Sequence, residues 1–297
     1  MAVPMRIDIE ACSKCGLCAA ICPVGTIDQP EDQFPARNPA RASLCEQCGQ
    51  CMAVCPSASI VVGDFSYERD FLTFDRPEDG ADYPAFFSLA ATRRAVRRFQ
   101  DRPVPRELLE QVVAAVALAP MGFPPHKTAV TVVSNRAAIA EMVPHVVKFY
   151  EKLLTGMKSP LIRFFIKRGA GPEHFPTLAE HLVPKLAAMI PAMKASGRDE
   201  ISREAPALLL LHAKRTAANH TQDANIALGY GLLAAHSLGL GATANGLLPP
   251  AINATPALRA MLHLPTDHEV VSSMILGYPR HRYVRSIRRK LAGVTFM

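Results

Sequence analysis

Eight cysteines near the start of the chain have a spacing that suits metal chemistry. They form two runs with the same pattern, C-x2-C-x2-C-x3-C-P, and the runs use every cysteine of the sequence: Cys12, Cys15, Cys18 and Cys22, then Cys45, Cys48, Cys51 and Cys55. A loop with a thiolate at every third position wraps three ligands around one cubane iron–sulfur cluster, and the fourth ligand must come from elsewhere. The runs therefore predict iron–sulfur clusters.

Two other uses of these cysteines fit the pattern less well. Zinc sites are built from C-x2-C pairs that are separated by longer spacers. A disulfide framework is typical of small secreted proteins, whereas this chain has 297 residues and its first residues, Met1 to Ile9, lack an apolar signal core.

Residues Met5 to Val62 resemble a bacterial 2[4Fe-4S] ferredoxin. In two-cluster ferredoxins the last cysteine of each run binds the other cluster. The resemblance therefore implies two [4Fe-4S] clusters, and it divides the ligands into two sets: Cys12, Cys15, Cys18 and Cys55 for one cluster, and Cys45, Cys48, Cys51 and Cys22 for the other.

The composition leaves room for a second, larger domain, because the chain is 49% hydrophobic and 20% charged. The net charge of +7 permits attraction to anionic partners without choosing among them. No apolar run approaches the length of a membrane span. We expect a cytoplasmic location, because iron–sulfur clusters are oxygen-sensitive and no export signal is evident. We expect no nucleic-acid partner, because the basic segment Arg280 to Lys290 has Tyr283 as its one aromatic residue.

Patterns along the rest of the chain predict alternating helices and strands, and therefore an α/β or α+β domain. We expect a ferredoxin domain at 1–63, a linker at 64–84, and a large α+β domain at 85–297 with a helical insert at about 147–204. The segments behind this division are a closing strand at Ser59–Gly63, a helical pattern at Phe86–Phe99, a helix at Pro105–Ala119, a buried strand at Thr128–Ser134, a helix at Ala137–Val147, a buried strand at Pro206–Leu211, a helix at Gln222–Leu238, a helix that begins at Pro256, and a strand at Glu269–Gly277.

Four segments of the large domain resemble the FMN-dependent nitroreductase family when they are taken in order. They are T-R-R-A-V-R-R-F at Thr92–Phe99, A-P-M-G-F-P-P at Ala119–Pro125, G-L-G-A-T-A-N-G at Gly239–Gly246, and G-Y-P with the arginines that follow it at Gly277–Arg289. Taken singly, each has an ordinary explanation, such as a solvated helix face or a helix end. Together they imply a flavin fold that forms a homodimer with FMN at the subunit interface.

The resemblance also implies roles for particular residues. Arg93, Arg94 and Arg97 match the segment that holds the FMN phosphate and ribityl chain, and guanidinium groups suit this role because they bind phosphate bidentately and stay charged. The other matches are Met121, Gly122 and Pro124 along the isoalloxazine ring, Asn245 and Gly246 near the flavin N5 region, and Arg282, Arg285 and Arg289 at the phosphate.

This sequence departs from the family pattern at two places. Ala95 stands where many members have Ser, which removes one hydrogen bond to the ribityl chain or the phosphate. Pro124 and Pro125 replace an Asn-x-Gln pattern, which argues against an ordinary nitro-reducing substrate pocket. We consider that the change marks a subgroup that receives electrons from iron–sulfur clusters.

The two resemblances together imply an oxidoreductase. Its donor would be a ferredoxin-type protein or NAD(P)H, and its acceptor a small nitro-compound, quinone or enone. The chain contains no G-x-G-x-x-G fingerprint, so a nicotinamide would have to dock on the flavin itself. The alternative is an electron-transfer protein that links a redox partner protein to FMN and has no small-molecule substrate. For the basic, amphipathic segment Lys158–Arg168 we consider a lid over the flavin, a dimer arm and a membrane-surface contact.

Overall fold

A computed structural model describes residues 3–74, 80–122 and 127–297 of the chain. The chain forms two compact units, one within the residues up to Asp82 and one built from Tyr83–Pro120 and Lys127–Met297. In the parts of the chain that are described, no helix has the length and apolar character needed to span a bilayer.

The small unit is built around two antiparallel strand pairs and two short helices that follow the cysteine loops. Strand β1 pairs with β4, which confirms the closing strand predicted at Ser59–Gly63. The elements in chain order are β1 (Met5–Ile7), α1 (Leu17–Ile21), β2 (Ile27–Asp28), β3 (Ala36–Arg37), a 3-10 turn (Ala42–Leu44), α2 (Gln50–Ala53), β4 (Ile60–Val62) and α3 (Tyr67–Asp70).

The small unit extends into the segment that we predicted to be a linker. Met52 and Ile60 form the centre of its core, where at most 1% of either side chain is exposed. The hydroxyl of Tyr67 donates to the carbonyls of both residues, at 3.3 Å and 3.0 Å respectively, and Phe65 and Phe71 pack against the same cluster. The polar composition of 64–84 suggested a linker, but three of its aromatic side chains, those of Phe65, Tyr67 and Phe71, complete a core that is otherwise very small.

The large unit contains one antiparallel sheet with the strand order β5-β6-β8-β7. Its strands are β5 (Ala129–Val133), β6 (Ala207–Lys214), β7 (Gly241–Ala244) and β8 (His268–Gly277). The structure confirms the predicted strands at β5, β6 and β8. Strand β7 was not predicted, because we took its segment only as a flavin-binding motif. The buried character predicted for β5 is wrong, because β5 is an edge strand and Val132 is 38% exposed.

Helices cover both faces of this sheet. The helices are α4 (Tyr83–Thr92), α5 (Arg106–Ala117), α6 (Arg136–Lys158), α7 (Pro160–Ala170), α8 (Phe175–Thr177), α9 (Val183–Ser196), α10 (His220–Ser237), α11 (Leu248–Ala254) and α12 (Pro256–Met261). Side chains of β6 alternate between the faces: Leu208 and Leu210 pack with α6, α9, α11 and α12, whereas Leu209 and Leu211 pack with α5 and α10. Each buried leucine contributes roughly 1.5–3 kcal/mol, so the central strand is held strongly on both sides.

The segment that we expected as a helical insert is partly integral to this core. Helix α6 continues through Val147 to Lys158, so the expected boundary falls inside a helix. Tyr150 of α6 and Leu186 and Ile190 of α9 are buried in the cluster under the sheet. The prolines in this stretch predicted several short helices, and Pro160, Pro176 and Pro184 do lie at the starts of α7, α8 and α9, whereas Pro191 lies within α9.

The sequence of helix α10 carries few charged residues because the helix packs closely against its neighbours. A Cβ atom on Gly231 would lie 2.9 Å from Val116 of α5 and 3.1 Å from Met274 of β8. The helix therefore lies close to both elements, and its Ala224 and Ala227 are fully buried.

Candidate redox sites

The eight cysteines line two separate pockets of the small unit. Cys12, Cys15 and Cys18 line one pocket together with Cys55. Cys45, Cys48 and Cys51 line the other together with Cys22. The fold thus places three cysteines of each run with the last cysteine of the other run, which is the grouping implied by the ferredoxin resemblance.

The two cysteine loops have the same backbone geometry. Gly16 and Gly49 both have φ of +76° and begin helices α1 and α2. Lys14 and Gln47, at equivalent positions in the two runs, also have positive φ. Glycine is suited to this left-handed conformation because it has no Cβ atom. Each loop can then curl its three cysteines toward one pocket.

Hydrogen bonds reach the two exchanged sulfurs in the same way. The backbone N–H of Thr26 donates to Cys22 Sγ at 3.3 Å, and that of Ser59 donates to Cys55 Sγ at 3.4 Å. Burial opposes ionisation of Cys55, but hydrogen bonds from Ser59 and Ser57 outweigh it and lower the pKa of this thiol to about 7. The pKa of Cys22 is lowered by the same balance of burial and hydrogen bonds from Thr26.

The other cysteines show the opposite effect where they are buried. Burial, followed by the nearby Cys48 sulfur, raises the pKa of Cys51 to about 11. The pKa of Cys18 is also raised, mainly by burial. Thiolates in such positions need positive charge close by, which iron supplies when a cluster is bound.

The arrangement of the sulfurs fits clusters better than single ions. Among the described residues, no three His, Cys, Asp or Glu side chains are grouped as one metal ion requires. A zinc ion would bring four sulfurs within about 2.3 Å of one point, whereas a cubane cluster binds its four thiolates at separate iron corners. The donor chemistry is also appropriate, because each pocket offers four cysteines.

The arginine-rich segment of the large unit is not helical, contrary to the pattern predicted over Phe86–Phe99. Helix α4 ends at Thr92, and Ala95 then forms a parallel bridge with Ala242 of β7. The N–H of Val96 donates to the carbonyl of Ala242 at 3.1 Å. Pairing with β7 pulls the segment out of the helix, so its arginines lie along a strand edge.

Four arginines from the two ends of the large unit line one cavity of about 780 Å³. Arg93 and Arg94 contribute from the paired segment, and Arg288 and Arg289 from the C-terminal segment. Burial, followed by the charges of Arg94 and Arg289, lowers the pKa of Arg93 from its ordinary value. No Asp or Glu belongs to the described lining, so this basic cleft is a strong candidate for binding an anion.

A second, smaller cavity of about 150 Å³ contains Arg97, Asn245 and Gly246. The side chain of Asn245 is fixed by two hydrogen bonds: its Nδ2 donates to the Ile201 carbonyl at 2.8 Å, and its Oδ1 accepts from Leu247 N–H at 3.0 Å. A Cβ atom on Gly246 would meet nothing within 4 Å. The loop is therefore rigid at Asn245 and open at Gly246.

Sequence reasoning missed Glu200, which also lines this small cavity. Glu200 accepts a hydrogen bond from Arg98 at 3.1 Å and forms an ion pair with Arg203. Burial opposes its ionisation, but these arginines outweigh it and lower the pKa of the carboxyl. The sequence carries no signal for this contact, because residues 98 and 200 are distant along the chain.

The remaining predicted residues are placed as follows. Met121 and Gly122 are half-buried, directly before residues that are not described, and Pro124 lies outside the described residues. Arg282 does not line the basic cleft and belongs to a different cavity. Arg285 is exposed, and in the described part of the chain it does not line either cavity. Arg288 and Arg289 are the arginines of the C-terminal segment in the described lining of the basic cleft.

The fold and these two kinds of site define a redox protein with a cysteine-rich metal module and an anion-binding α+β domain. The profile of the nitroreductase family matches residues 90–278, and that of the 4Fe-4S dicluster domain matches residues 11–60. The comparison with curated proteins gives no match.

Solved nitroreductase structures share the fold of the large unit. One is a nitroreductase with bound FMN from Bacteroides fragilis, which has 21% identity, a TM-score of 0.52, and coverage of 71% of this chain and 97% of its own. Another is a nitroreductase with bound FMN from Desulfitobacterium hafniense, which has 20% identity, a TM-score of 0.53, and the same coverage of both chains. The chain belongs to the nitroreductase family, whose members are FMN-dependent oxidoreductases, and it also carries a 4Fe-4S domain.

Proposed function

We propose that this protein passes electrons between a ferredoxin-type donor or NAD(P)H and a small organic acceptor, with FMN in the large unit and two [4Fe-4S] clusters in the small unit. The observation that carries the proposal is the combination of two four-cysteine pockets and one four-arginine cleft in a single chain. When bound, the clusters supply one-electron chemistry and the flavin supplies one- or two-electron chemistry.

The basic cleft is the proposed site of the FMN phosphate. Arg93, Arg94, Arg288 and Arg289 provide guanidinium donors that can form bidentate hydrogen bonds to a phosphate dianion. The lowered pKa of Arg93 indicates that its positive charge is poorly compensated in the protein alone. A phosphate group would offset the repulsion among these arginines and would replace water around the half-buried Arg93.

The small cavity at Arg97 is the proposed position of the flavin ring. Arg93 and Arg97 lie on either side of Ala95, which pairs with β7, and β7 leads directly to Asn245 and Gly246. The phosphate cleft and the Gly246 loop therefore lie toward opposite ends of one paired segment. Gly246 allows a planar ring to approach its backbone, and Asn245 holds that backbone in place.

The eight cysteines are the proposed cluster ligands, in the two sets that line the two pockets. Hydrogen bonds to the sulfurs of Cys22 and Cys55 stabilise negative charge at the cluster and so raise its reduction potential. Cys55 has the additional hydroxyls of Ser59 at 3.4 Å and Ser57 at 3.8 Å, whereas Cys22 has that of Thr26 at 3.3 Å. The two clusters would therefore differ in potential.

We also propose that the protein is a homodimer. Helix α4 buries none of its side chains, and Phe86 and Phe87 are 51% and 59% exposed. Ile226 and Tyr230 on α10 are exposed as well, and α4 packs near α10. Exposed apolar side chains on two neighbouring helices are typical of an interface between subunits. Sedimentation equilibrium of the full chain would give twice the chain mass; a monomer at micromolar concentration would contradict this proposal.

An anaerobic turnover experiment tests the function. The reconstituted protein is reduced either by a reduced ferredoxin or by NAD(P)H and is then offered nitroaromatics, quinones and enones. We expect at least one acceptor to reoxidise the flavin, as followed by its absorbance. If every acceptor fails while the flavin is still reduced by ferredoxin, the protein is instead an electron carrier without a small-molecule substrate.

Matched cysteine variants separate the two parts of the proposal. Cys48→Ser and Cys15→Ser change equivalent positions in the two runs, one in each pocket. We expect each to lose about half of the bound iron and to retain its FMN. Loss of ferredoxin-driven turnover with NAD(P)H-driven turnover retained would place the clusters at the entry point for ferredoxin. Unchanged ferredoxin-driven turnover in both variants would contradict their role.

A further inference from the structure

The large unit contains another basic cavity that neither proposed cofactor occupies. It has a volume of about 500 Å³, and its described lining includes no Asp or Glu. The side chains that matter most here are Arg94, Arg280, Arg282, His236, His281 and Tyr283. A volume of this size is ordinary for a small-molecule site.

This cavity lies on the other side of the arginine-rich segment from the proposed flavin site. In an extended segment, successive side chains point to opposite sides of the backbone. Arg93 lines the phosphate cleft and Arg97 the Gly246 cavity, whereas Val96 lines the additional cavity. Arg94 is the one residue in the described lining of both the cleft and the additional cavity. The additional cavity is therefore not a continuation of the flavin ring site.

Backbone hydrogen bonds hold one wall of the cavity in place. Gln100 uses its backbone N–H to donate to the Tyr278 carbonyl at 2.9 Å, and its side-chain Nε2 donates to the Pro279 carbonyl at 3.0 Å. The backbone N–H of Arg280 donates to the Arg98 carbonyl at 3.0 Å. These bonds fix the backbone of this wall up to Arg280, two residues before Arg282.

The opposite wall is formed by the end of α10 and the strand that follows it. Thr92 Oγ1 and His236 Nε2 lie 2.9 Å apart, which joins the end of α4 to α10. Gly241 allows the chain to pass tightly here, because a Cβ atom on it would lie 2.6 Å from Val96. The cavity is thus bounded by two anchored walls, with Arg280 and Arg282 on the first wall and Arg94 in the segment that follows α4.

We propose that this cavity is a second anion site and that it binds a phosphate-bearing ligand. Three arginines within one cavity supply the positive charge and the bidentate donors that a phosphate or pyrophosphate group binds. The ring of Tyr283 in the same lining offers an aromatic surface for an organic part of the ligand. Free pyrophosphate and a nucleotide share this chemistry, and they differ in whether they use Tyr283.

Calorimetric titration of the full-length, FMN-loaded protein tests the site. We expect pyrophosphate to bind with one equivalent per chain and to leave the flavin absorbance unchanged. The double variant Arg280→Gln/Arg282→Gln should weaken pyrophosphate at least about tenfold, because it removes two charged donors. Arg285→Gln, which removes the same charge from the same segment outside the lining, should leave the affinity within about twofold.

ADP distinguishes the two sources of the phosphate group. If ADP binds more tightly than pyrophosphate, and if Tyr283→Ala abolishes this difference in affinity, the ligand is a nucleotide. Equal binding of the two would identify free phosphates. The proposal is overturned if pyrophosphate does not bind the FMN-loaded protein, if it displaces FMN, or if the double variant binds it as well as the parent. Far-UV circular dichroism and the unfolding midpoint of the double variant confirm that it is folded.

Discussion

Replacing Arg93 by Ala separates flavin binding from protein stability, because the affinity for FMN should fall while the free energy of unfolding does not. Arg93 is half-buried, and the charges that lower its pKa together with burial are those of Arg94 and Arg289. In the flavin-free protein these charges repel one another. Removal of Arg93 takes away this repulsion and a charge in a partly buried position. The free energy of unfolding should therefore stay unchanged or become slightly higher.

The effect on FMN affinity can be estimated from the contact that is lost. A hydrogen bond to a charged group contributes roughly 1.5–3 kcal/mol, which corresponds to about a 10- to 150-fold increase in Kd. Arg93→Lys keeps the charge but loses the planar fork of the guanidinium group, so its Kd should lie between those of the parent and of Arg93→Ala.

The assay is quenching of FMN fluorescence on titration of flavin-free protein, together with denaturant unfolding of the same samples. Arg168→Ala is the matched control, because it removes the same charge from an exposed position in α7, and its Kd should change less than twofold. Equal losses in the two variants would show that only the overall charge matters. An Arg93→Ala protein that binds FMN normally would refute the placement of the phosphate in the basic cleft.

Three further changes have clear expected outcomes. Ser59→Ala removes a hydroxyl that lies 3.4 Å from Cys55 Sγ, and we expect a lower reduction potential of the cluster in that pocket, measured by redox titration with electron paramagnetic resonance. The pKa of His212 is lowered from its ordinary value of 6.5, first by burial and then by His268 and Arg259. The free energy of unfolding should therefore fall as the pH drops below about 6.5. His212→Gln should reduce this dependence on pH. Gly241→Ala should lower the free energy of unfolding by about 1–3 kcal/mol through overpacking against Val96.

Each of these changes has its own control. Ser57→Ala should shift the potential less than Ser59→Ala, because the Ser57 hydroxyl is 3.8 Å from the sulfur. His174→Gln, at a side chain that is 79% exposed, should leave the pH dependence of unfolding as it is in the parent. Gly229→Ala lies in α10 with no atom within 4 Å of the added Cβ, and it should stabilise the protein by roughly 0.5–1 kcal/mol. The reverse order in any of these pairs would contradict the physical reason given.

The sign of the His212 prediction follows from the direction of its pKa shift. A histidine whose pKa is lower in the folded protein binds fewer protons there than in the unfolded chain between the two pKa values. The stability that it contributes is therefore complete above the unfolded pKa and is lost as the pH falls toward the folded value. His268 Nδ1 lies 2.9 Å from His212 Nδ1, and this neighbour adds to the effect of burial on the pKa of His212.

The sequence alone identified the features that depend on local spacing. Cysteines at every third position can reach one pocket whatever surrounds them, and a left-handed glycine between them follows from the same tight loop. The helix at α5 was also predictable because its apolar residues recur at the helical period, and the strands β6 and β8 because short apolar runs indicate buried strands. The family resemblance added the order of the flavin-binding segments.

Tertiary structure decided where the chemistry of the large unit converges. Helical periodicity predicted that the arginine-rich segment continued α4, but pairing of Ala95 with β7 makes it extended and directs its arginines to different cavities. The contact of Glu200 with Arg98, and the meeting of Arg93 with Arg289, join residues far apart along the chain. Such contacts depend on how the sheet and helices pack, and no local pattern in the sequence specifies that packing.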